Sequence, residues 1–257
     1  MAESSSLGTP LAPSEGWGVV HLFVDVVPGA TGAKKVTKAL EAFAAVDPQQ
    51  VIAFSPLGAR ADLGLMLLSP DLVQLDRITR DILAGPFRRV DGFISLTEQS
   101  EYASTEDDER ARLAAEGEDD VEAKLAEWRE RMVGYLEARL HPRLPERRLI
   151  AFYPMSKRRE PEANWYALSF EERKRFMGGH ARVGRRYAGR VLQLITGATG
   201  LDDWEWGVTL LADDPVAIKE IVYEMRFDPV SAIYSEFGPF YTGLVGDPAT
   251  LIARLTT

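Results

Sequence analysis

The stretch from Tyr153 to Trp206 concentrates the side chains that a reactive site needs. Tyr153 can be oxidised, the cations Lys157 to Arg159 can bind anions, and His180 can bind a metal ion. On pattern alone His180 is also typical of a hydrogen-bonded core histidine, and the cations of an exposed basic turn. The residue types therefore indicate redox chemistry beside an anionic group, without excluding a purely structural role.

A predicted helix holds the histidine. Ser169 and Glu172 have the spacing of a capping box, so the helix should begin at Phe170 and run to about Tyr187. His180 follows Phe176 by one turn, on the side of the apolar stripe, which predicts an inward-pointing imidazole. The stripe comprises Phe176, Met177, Val183, Gly184 and Tyr187.

Long motifs in the C-terminal half carry a resemblance to a known family. They read YPMSKRR, NWY and EER, then a histidine with GRRYAGRV after it, then QLITGATGLDDWEWGVTL and EMRFDPVSAIYSEFGPFYTG. This half resembles the coproheme decarboxylase family, the peroxide-dependent, haem-forming branch of the chlorite dismutase-like proteins. The resemblance implies an oxidoreductase that converts two propionates of coproheme III to vinyl groups with hydrogen peroxide and so forms haem b. The iron porphyrin would be substrate and cofactor at once.

The resemblance also implies a role for individual residues. His180 matches the proximal iron ligand, which leaves the other face of the iron open to the oxidant. Tyr153 matches the tyrosine that is oxidised to a radical and takes hydrogen from a propionate β-carbon, with Lys157 as its catalytic partner. The residues implied in binding the porphyrin are Arg139, Met155, Lys157, Gln193, Arg226 and Ser231.

Gln193 separates the branches of this superfamily. Chlorite-splitting relatives carry an arginine at the matching position, where its charge controls the oxyanion that leaves iron, whereas a glutamine amide supplies no charge. His141 is the alternative distal residue, but its HPRLP context is typical of a loop that ends a helix, and with Gln193 present we interpret His141 as incidental to the site. Three other interpretations stay open: a chlorite dismutase, a non-catalytic haem-binding or haem-delivery protein, and a scaffold without a cofactor.

Residues 17–100 predict the order β-α-β-β-α-β, which is typical of a ferredoxin-like unit. The strands are rich in β-branched and aromatic residues, and the helices repeat apolar residues every three or four positions. The predicted strands are Trp17 to Val26, Val51 to Phe54, Leu63 to Leu68 and Val90 to Leu96, and the helices are Ala33 to Val46 and Leu72 to Ile82.

The same order is predicted again from Leu149 onward. The strands are Leu149 to Pro154, Arg190 to Ile195, Trp204 to Leu211 and a last one near Ile233 to Val245, with helices from Phe170 and from Pro215 to Met225. The sequence thus predicts an α+β chain of two ferredoxin-like halves. The resemblance implies that the halves form a dimeric α+β barrel in a ring-shaped oligomer, usually a homopentamer.

The predicted organisation has four parts: a flexible tail over 1–16, an N-terminal half over 17–100, an acidic linker and helix over 101–148, and a haem-binding half over 149–257. The acidic run from Glu101 to Glu122 is typical of a solvated linker or helix face. A helix is predicted from Val121 to Leu140, with an apolar stripe of Leu125, Trp128, Met132, Tyr135 and Leu136.

Composition narrows the class of protein. The 257 residues contain no cysteine, which excludes disulfides and thiolate metal sites and favours the cytoplasm. A net charge of -9 argues against nucleic-acid binding, and three histidines are too few for a histidine-rich metal cluster. No transmembrane segment or secretory signal is predicted. The expected partners are Fe-coproporphyrin III and hydrogen peroxide, with a transient contact to the coproporphyrin ferrochelatase implied by the resemblance.

Overall fold

The computed structural model describes residues 9–256. Its first half alternates strands and helices in the predicted order: β1 (Gly18–Val26), α1 (Ala33–Ala44), β2 (Gln50–Pro56), β3 (Leu63–Ser69), α2 (Leu72–Leu83) and β4 (Phe87–Thr97). Two helices follow, α3 (Glu106–Glu116) and α4 (Val121–Leu140). The second half contains β5 (Leu149–Lys157), the short pair β6 (Arg159–Glu160) and β7 (Ala163–Asn164), α5 (Phe170–Arg185), β8 (Val191–Gly197), β9 (Trp206–Ala212), α6 (Pro215–Met225), α7 (Pro229–Ala232), β10 (Ser235–Phe237), β11 (Tyr241–Gly246) and α8 (Pro248–Thr256).

One antiparallel sheet of nine strands runs through both halves, in the order β10-β5-β11-β2-β3-β1-β4-β8-β9. The sheet closes on itself because β5 also pairs with β9 along seven residues, from Leu149 opposite Ala212 to Met155 opposite Trp206. Within each half the strands have the same spatial order, with β4-β1-β3-β2 matched by β11-β5-β9-β8. The chain is therefore an α+β fold in which two similar units share one sheet.

Strand alternation divides the core into an interior and two outer layers. Inside the closed sheet lies an aromatic cluster that includes Phe23, Phe54, Phe93 and Phe152. Outside the first half, α1, α2 and α8 cover apolar side chains of β1, β2 and β3, and outside the second half α6 covers part of β5, β8 and β9. Because successive side chains of a strand point to opposite faces, the residues directly before and after an interior residue point into an outer layer.

The helix that carries His180 begins as predicted. Ser169 Oγ accepts the Glu172 N–H and the Glu172 carboxylate accepts the Ser169 N–H, so the capping box is complete. The helix α5 is nevertheless loosely packed, since Gly184 is its one buried residue. The other side chains of α5 are partly or fully exposed to solvent.

Two elements differ from the sequence prediction, and the acidic segment, left open between a linker and a helix face, contains a helix. The acidic segment contains the helix α3, capped by Thr105 and Asp108, whose Lys174–Asp108 ion pair ties it to α5. The last strand is divided into β10 and β11, because Gly238-Pro239 interrupts the pairing. The terminal helix α8 was missed, although its apolar Leu251 and Ile252 pack under β2.

The predicted tail falls partly outside the described residues, which begin at residue 9. Leu11 lies against α2, where its N–H donates to the Asp71 carboxylate and its carbonyl accepts the Leu72 N–H. Within residues 9–256 no helix is both long enough and apolar enough to cross a membrane.

Candidate functional site

The strand β5 presents three of the predicted site residues on one face. Phe152 points into the interior cluster, so Tyr153 and Met155 point outward, where they pack against the layer covered by α6. Lys157 follows at the same spacing of two residues. The sheet register therefore lines up a phenol, a thioether and an ammonium group along about 13 Å of strand.

Tyr153 lies in an aromatic and apolar setting. Its ring stacks on Phe240 with centroids 4.3 Å apart and meets the edge of Phe237 at 5.8 Å. Burial raises the pKa of the Tyr153 hydroxyl to about 12, although the nearby charge of Arg226 acts in the opposite direction. The phenol consequently stays protonated at neutral pH and can give up its hydrogen as an atom.

Lys157 is a buried cation, with 8% of its surface exposed. Its Nζ donates to Ser235 Oγ at 3.2 Å and lies 4.7 Å from the ring centroid of Trp165. Burial lowers the Lys157 pKa to about 8, opposed by the charges of Asp228 and Glu205. The Lys157 ammonium is therefore an acid that can release its proton close to physiological pH.

His180 is half-buried, with 28% of its side chain exposed, rather than pointing into the core. Its Nδ1 lies 3.1 Å from Asp228 Oδ2, and the other oxygen of Asp228 accepts the Val230 N–H at 2.7 Å. A histidine held at one ring nitrogen by a carboxylate is the usual arrangement for a metal ligand, since it fixes the ring and leaves Nε2 for the metal. The local structure thus suits His180 as an iron ligand.

Two cavities adjoin these side chains. An open cleft of about 780 Å³ lies beside Tyr153 and is lined by Arg158, Trp204, Arg226, Ser231, Ala232, Ser235, Glu236, Phe237 and Phe240. A hollow of about 350 Å³ runs along α5 and is lined by Arg175, Phe176, Gly179, Val183, Arg186, Glu224, Phe227, Asp228 and Pro229. Both volumes fall in the range of small-molecule sites.

Arg226 and Ser231 both line the open cleft. Arg226 ends α6, and its guanidinium carbon lies 4.1 Å from the ring centroid of Phe237. Ser231 lies on α7 and is 8% exposed. The positive charge of Arg226 also acts on Tyr153, where it favours a lower pKa of the hydroxyl.

Gln193 lies on the same outer face of the sheet as Tyr153. Gln193 is opposite Leu210 on β9, which also pairs with Ala151, two residues before Tyr153. Its Nε2 donates to the Gly184 carbonyl at 3.2 Å, one turn beyond His180 on α5. A Cβ at Gly184 would lie 3.1 Å from that nitrogen, a tight contact that the Gln193 amide would have to relieve by shifting a few tenths of an ångström.

Arg139 lies apart from the Arg226 cleft. It lies in the last turn of α4 and its Nη2 donates to the Glu98 carbonyl at 3.3 Å, while its Nε is buried without a partner in the described chain. Glu98 accepts the indole N–H of Trp206 at 3.0 Å, and Trp206 is opposite Met155 in the sheet. Arg139 thus approaches the Met155 side of the site through Glu98 and Trp206.

The structure adds residues that sequence reasoning missed. Asp228 precedes Pro229 and looks in the sequence like a helix cap, which it is, but its second oxygen holds His180. Ser235 and Phe240 come from the segment predicted as one long strand, so their positions beside Lys157 and Tyr153 were not visible. His141 caps the end of α4 and pairs with Glu137, in the loop where the sequence placed it.

A family model described as chlorite dismutase matches residues 30–246 of this chain. Among curated proteins, the chain is 44% identical over 202 residues to a candidate heme-binding protein of Natronomonas pharaonis and 41% identical over 221 residues to one of Haloarcula marismortui. These matches cover 77% and 84% of this chain but 32% and 31% of the relatives, so the chain spans about a third of their length.

Solved structures show the same fold. A heme-binding protein of Thermus thermophilus is 33% identical, with a TM-score of 0.75 over 96% of this chain and 98% of that one. A mutant chlorite dismutase of Candidatus Nitrospira defluvii is 14% identical, with a TM-score of 0.71 over 95% of this chain and 98% of its own, a likeness of fold alone.

Proposed function

Because the chain belongs to the chlorite dismutase family, we propose that it is a coproheme decarboxylase. It would use hydrogen peroxide to convert two propionates of coproheme III to vinyl groups and release haem b. The observation that carries this proposal is the line of Tyr153, Met155 and Lys157 on one face of β5, beside a cleft that contains Arg226. A protein that only carries haem needs neither an oxidisable phenol nor a buried ammonium there.

The residues present fit an iron porphyrin with several carboxylates. His180 offers a single, carboxylate-oriented ligand, and within residues 9–256 no three His, Asp or Glu side chains gather into a protein metal site. The buried Nε of Arg139 lacks an acceptor, which a ligand carboxylate would supply. Arg226, Ser231 and Lys157 add further donors for carboxylates.

In the proposed reaction the iron porphyrin with peroxide supplies the oxidising power. Tyr153 gives up its phenolic hydrogen atom and then takes one from the β-carbon of a propionate held against it. The bond to the carboxylate then breaks, carbon dioxide is released and a vinyl group remains on the ring, with loss of a proton and two electrons in all. One peroxide is reduced to two waters for each propionate, and this balance consumes one further proton.

Each side chain has a separate task in this scheme. Phe237 and Phe240 surround the Tyr153 ring and exclude water from it. The raised pKa of Tyr153, caused by burial, keeps its hydrogen in place until the phenol is oxidised. Lys157 holds a carboxylate as a point charge and can supply a proton, since burial lowers its pKa to about 8.

Gln193 favours this reaction over chlorite splitting. Its amide is neutral, and it faces α5 from the sheet through the bond to the Gly184 carbonyl. No positive charge is thereby supplied at a position where an oxyanion leaving iron would need one. We assign Gln193 to hydrogen bonding with peroxide or a propionate.

The test is to add Fe-coproporphyrin III and then hydrogen peroxide to the purified chain and to separate the porphyrins by chromatography with mass detection. We expect stepwise loss of two carboxyl groups and formation of haem b. Tyr153→Phe should bind the porphyrin equally and yield no haem b. Binding without conversion in the unaltered protein would support the haem-binding alternative instead, and full activity of Tyr153→Phe would exclude the radical role.

The remaining parts of the proposal concern assembly and context. The repeated strand order supports two ferredoxin-like halves, with the haem-binding half over 149–257. A ring-shaped homopentamer, a cytoplasmic location and a transient contact with coproporphyrin ferrochelatase are part of the same proposal. They stay predictions from the resemblance.

A further inference from the structure

Arg158 carries a buried donor that nothing in the described chain satisfies. Its Nε is inaccessible to solvent and has no hydrogen-bond partner within residues 9–256. Buried polar atoms are almost always paired, and leaving one unpaired is costly, so such an atom calls for an explanation. Arg147 has the same unpaired Nε, but its guanidinium already forms an ion pair with Asp213.

The backbone holds Arg158 in place. Its N–H donates to the Tyr234 carbonyl at 3.0 Å, and its carbonyl accepts the Trp165 N–H at 3.0 Å. The residue follows the end of β5 directly and is therefore fixed between two other segments. An arginine with this anchorage presents its planar donors in a defined direction, which suits recognition of a carboxylate by two bonds.

The cleft into which Arg158 opens is built for an anion. It contains a second guanidinium, Arg226, and the buried hydroxyl of Ser231. The Ser235 hydroxyl also lines the cleft, but it already donates to the Val230 carbonyl and accepts the Lys157 ammonium. Its one acidic lining residue, Glu236, is exposed to solvent. Two arginines in one cleft repel each other unless an anion lies between them, so the arrangement is most stable with a bound carboxylate.

The same cleft adjoins the reactive phenol. Phe237 and Phe240 line it and also pack on the Tyr153 ring. A carboxylate bound there belongs to a propionate next to Tyr153, and so to one that the proposed reaction converts to a vinyl group. The product would leave Arg158 without its acceptor.

We propose that Arg158 binds a carboxylate that is lost in the reaction and so makes the protein prefer the tetracarboxylate porphyrin over its dicarboxylate product. This inference rests on the proposed function. It gives Arg158 a role in substrate selection and in release of the product, in the same cleft as Arg226 and Ser231.

The test uses metal-free porphyrins, so that it depends on neither iron nor turnover. Affinities for coproporphyrin III, with four carboxylates, and protoporphyrin IX, with two, are measured by fluorescence titration on the full chain. Arg158→Ala should weaken coproporphyrin III binding by about tenfold and leave protoporphyrin IX binding unchanged, because one charge-assisted carboxylate contact is removed. Arg158→Lys should restore part of the preference, since it keeps the charge without the two-bond geometry.

Arg159→Ala is the matched control. It removes the same charge one residue away, from a side chain that is 67% exposed and directed to Glu205. This control should keep the preference for coproporphyrin III. Thermal unfolding of each variant checks that the fold is intact.

The outcomes separate this inference from the proposed function. If Arg158→Ala leaves the ratio of the affinities for coproporphyrin III and protoporphyrin IX unchanged, whether neither affinity falls or both fall equally, the inference is overturned. A lost preference in a protein that never converts Fe-coproporphyrin III would support only the selection of the tetracarboxylate porphyrin by Arg158, and would remove both the proposed decarboxylase activity and the role of Arg158 in product release. Failure of the unaltered chain to bind either porphyrin would overturn both.

Discussion

His21 lies inside the closed sheet, directly behind the strand that carries Tyr153. It is fully buried, its ring stacks on Phe152 with centroids 3.9 Å apart, and its Nε2 lies 2.9 Å from Thr209 Oγ1. Burial lowers its pKa from 6.5 to about 3. The folded protein therefore holds a neutral imidazole at pH values where the unfolded chain binds a proton.

The sign and size of the effect follow from this difference. The stabilisation is fully present above the unfolded pKa of 6.5 and is lost as the pH falls from there toward 3. Between about pH 7.5 and pH 4.5 the contribution of His21 to the free energy of unfolding should fall by about 2.7 kcal/mol. This is about 1.36 kcal/mol for each of the two pH units below the unfolded pKa of 6.5. Such a change is a large part of the stability of an ordinary domain.

The measurement is urea unfolding of the porphyrin-free protein at both pH values, compared with His21→Phe. The variant keeps a stacked ring and loses the titratable group, so its stability should depend less on pH by the amount above. At about pH 7.5 it should be less stable by about 1 kcal/mol, because the bond to Thr209 is lost. Equal pH dependence of the two proteins would refute a neutral, buried His21.

Two further predictions concern the site. Affinity for metal-free coproporphyrin III should fall about tenfold from pH 7 to pH 9, because with a pKa of about 8 the Lys157 side chain of the free protein is mostly a neutral amine at pH 9 and must be protonated to bind a carboxylate. In Lys157→Met the fluorescence titration should show no such fall, and the same fall there would assign the titration to another group. Asp228→Asn should weaken binding of Fe-coproporphyrin III about 10-fold to 100-fold and leave binding of metal-free coproporphyrin III unchanged, because only the bond to iron depends on how His180 is oriented. Equal losses for Fe-coproporphyrin III, followed by absorbance, and for the metal-free porphyrin, followed by fluorescence, would show that Asp228 acts on the fold instead.

The sequence predicted the elements that bury a regular apolar face. Strand β1 and helix α2 have strong periodicity and lie where expected, because side chains such as Phe23 and Leu75 have one way to reach the core. For helix α3 the sequence left a linker and a helix face as alternatives, because its 11 residues are mostly charged and only Leu113 is a buried apolar side chain. Its stability comes from its caps and ion pairs, which a hydrophobic pattern does not reveal.

The sequence suggested which residues form the candidate site, but not the tertiary contacts that position them. A motif can suggest that His180 binds iron, yet the carboxylate that orients it lies 48 residues away and is reached through tertiary packing. The buried state of Lys157 depends likewise on Trp165 and Ser235, which come from separate segments. Long-range pairs of this kind have no local pattern, so sequence reasoning could not find them.

The closed sheet has a consequence for how the protein can change over evolutionary time. Along β5, Phe152 belongs to the packed interior while its two neighbours face outward, so losing or gaining one residue in that strand would exchange the faces of everything beyond it. Such an indel would abolish folding and chemistry together. Changes in ligand specificity should instead arise by substitution around the turn between α7 and β10, where a side chain can be replaced without shifting any strand.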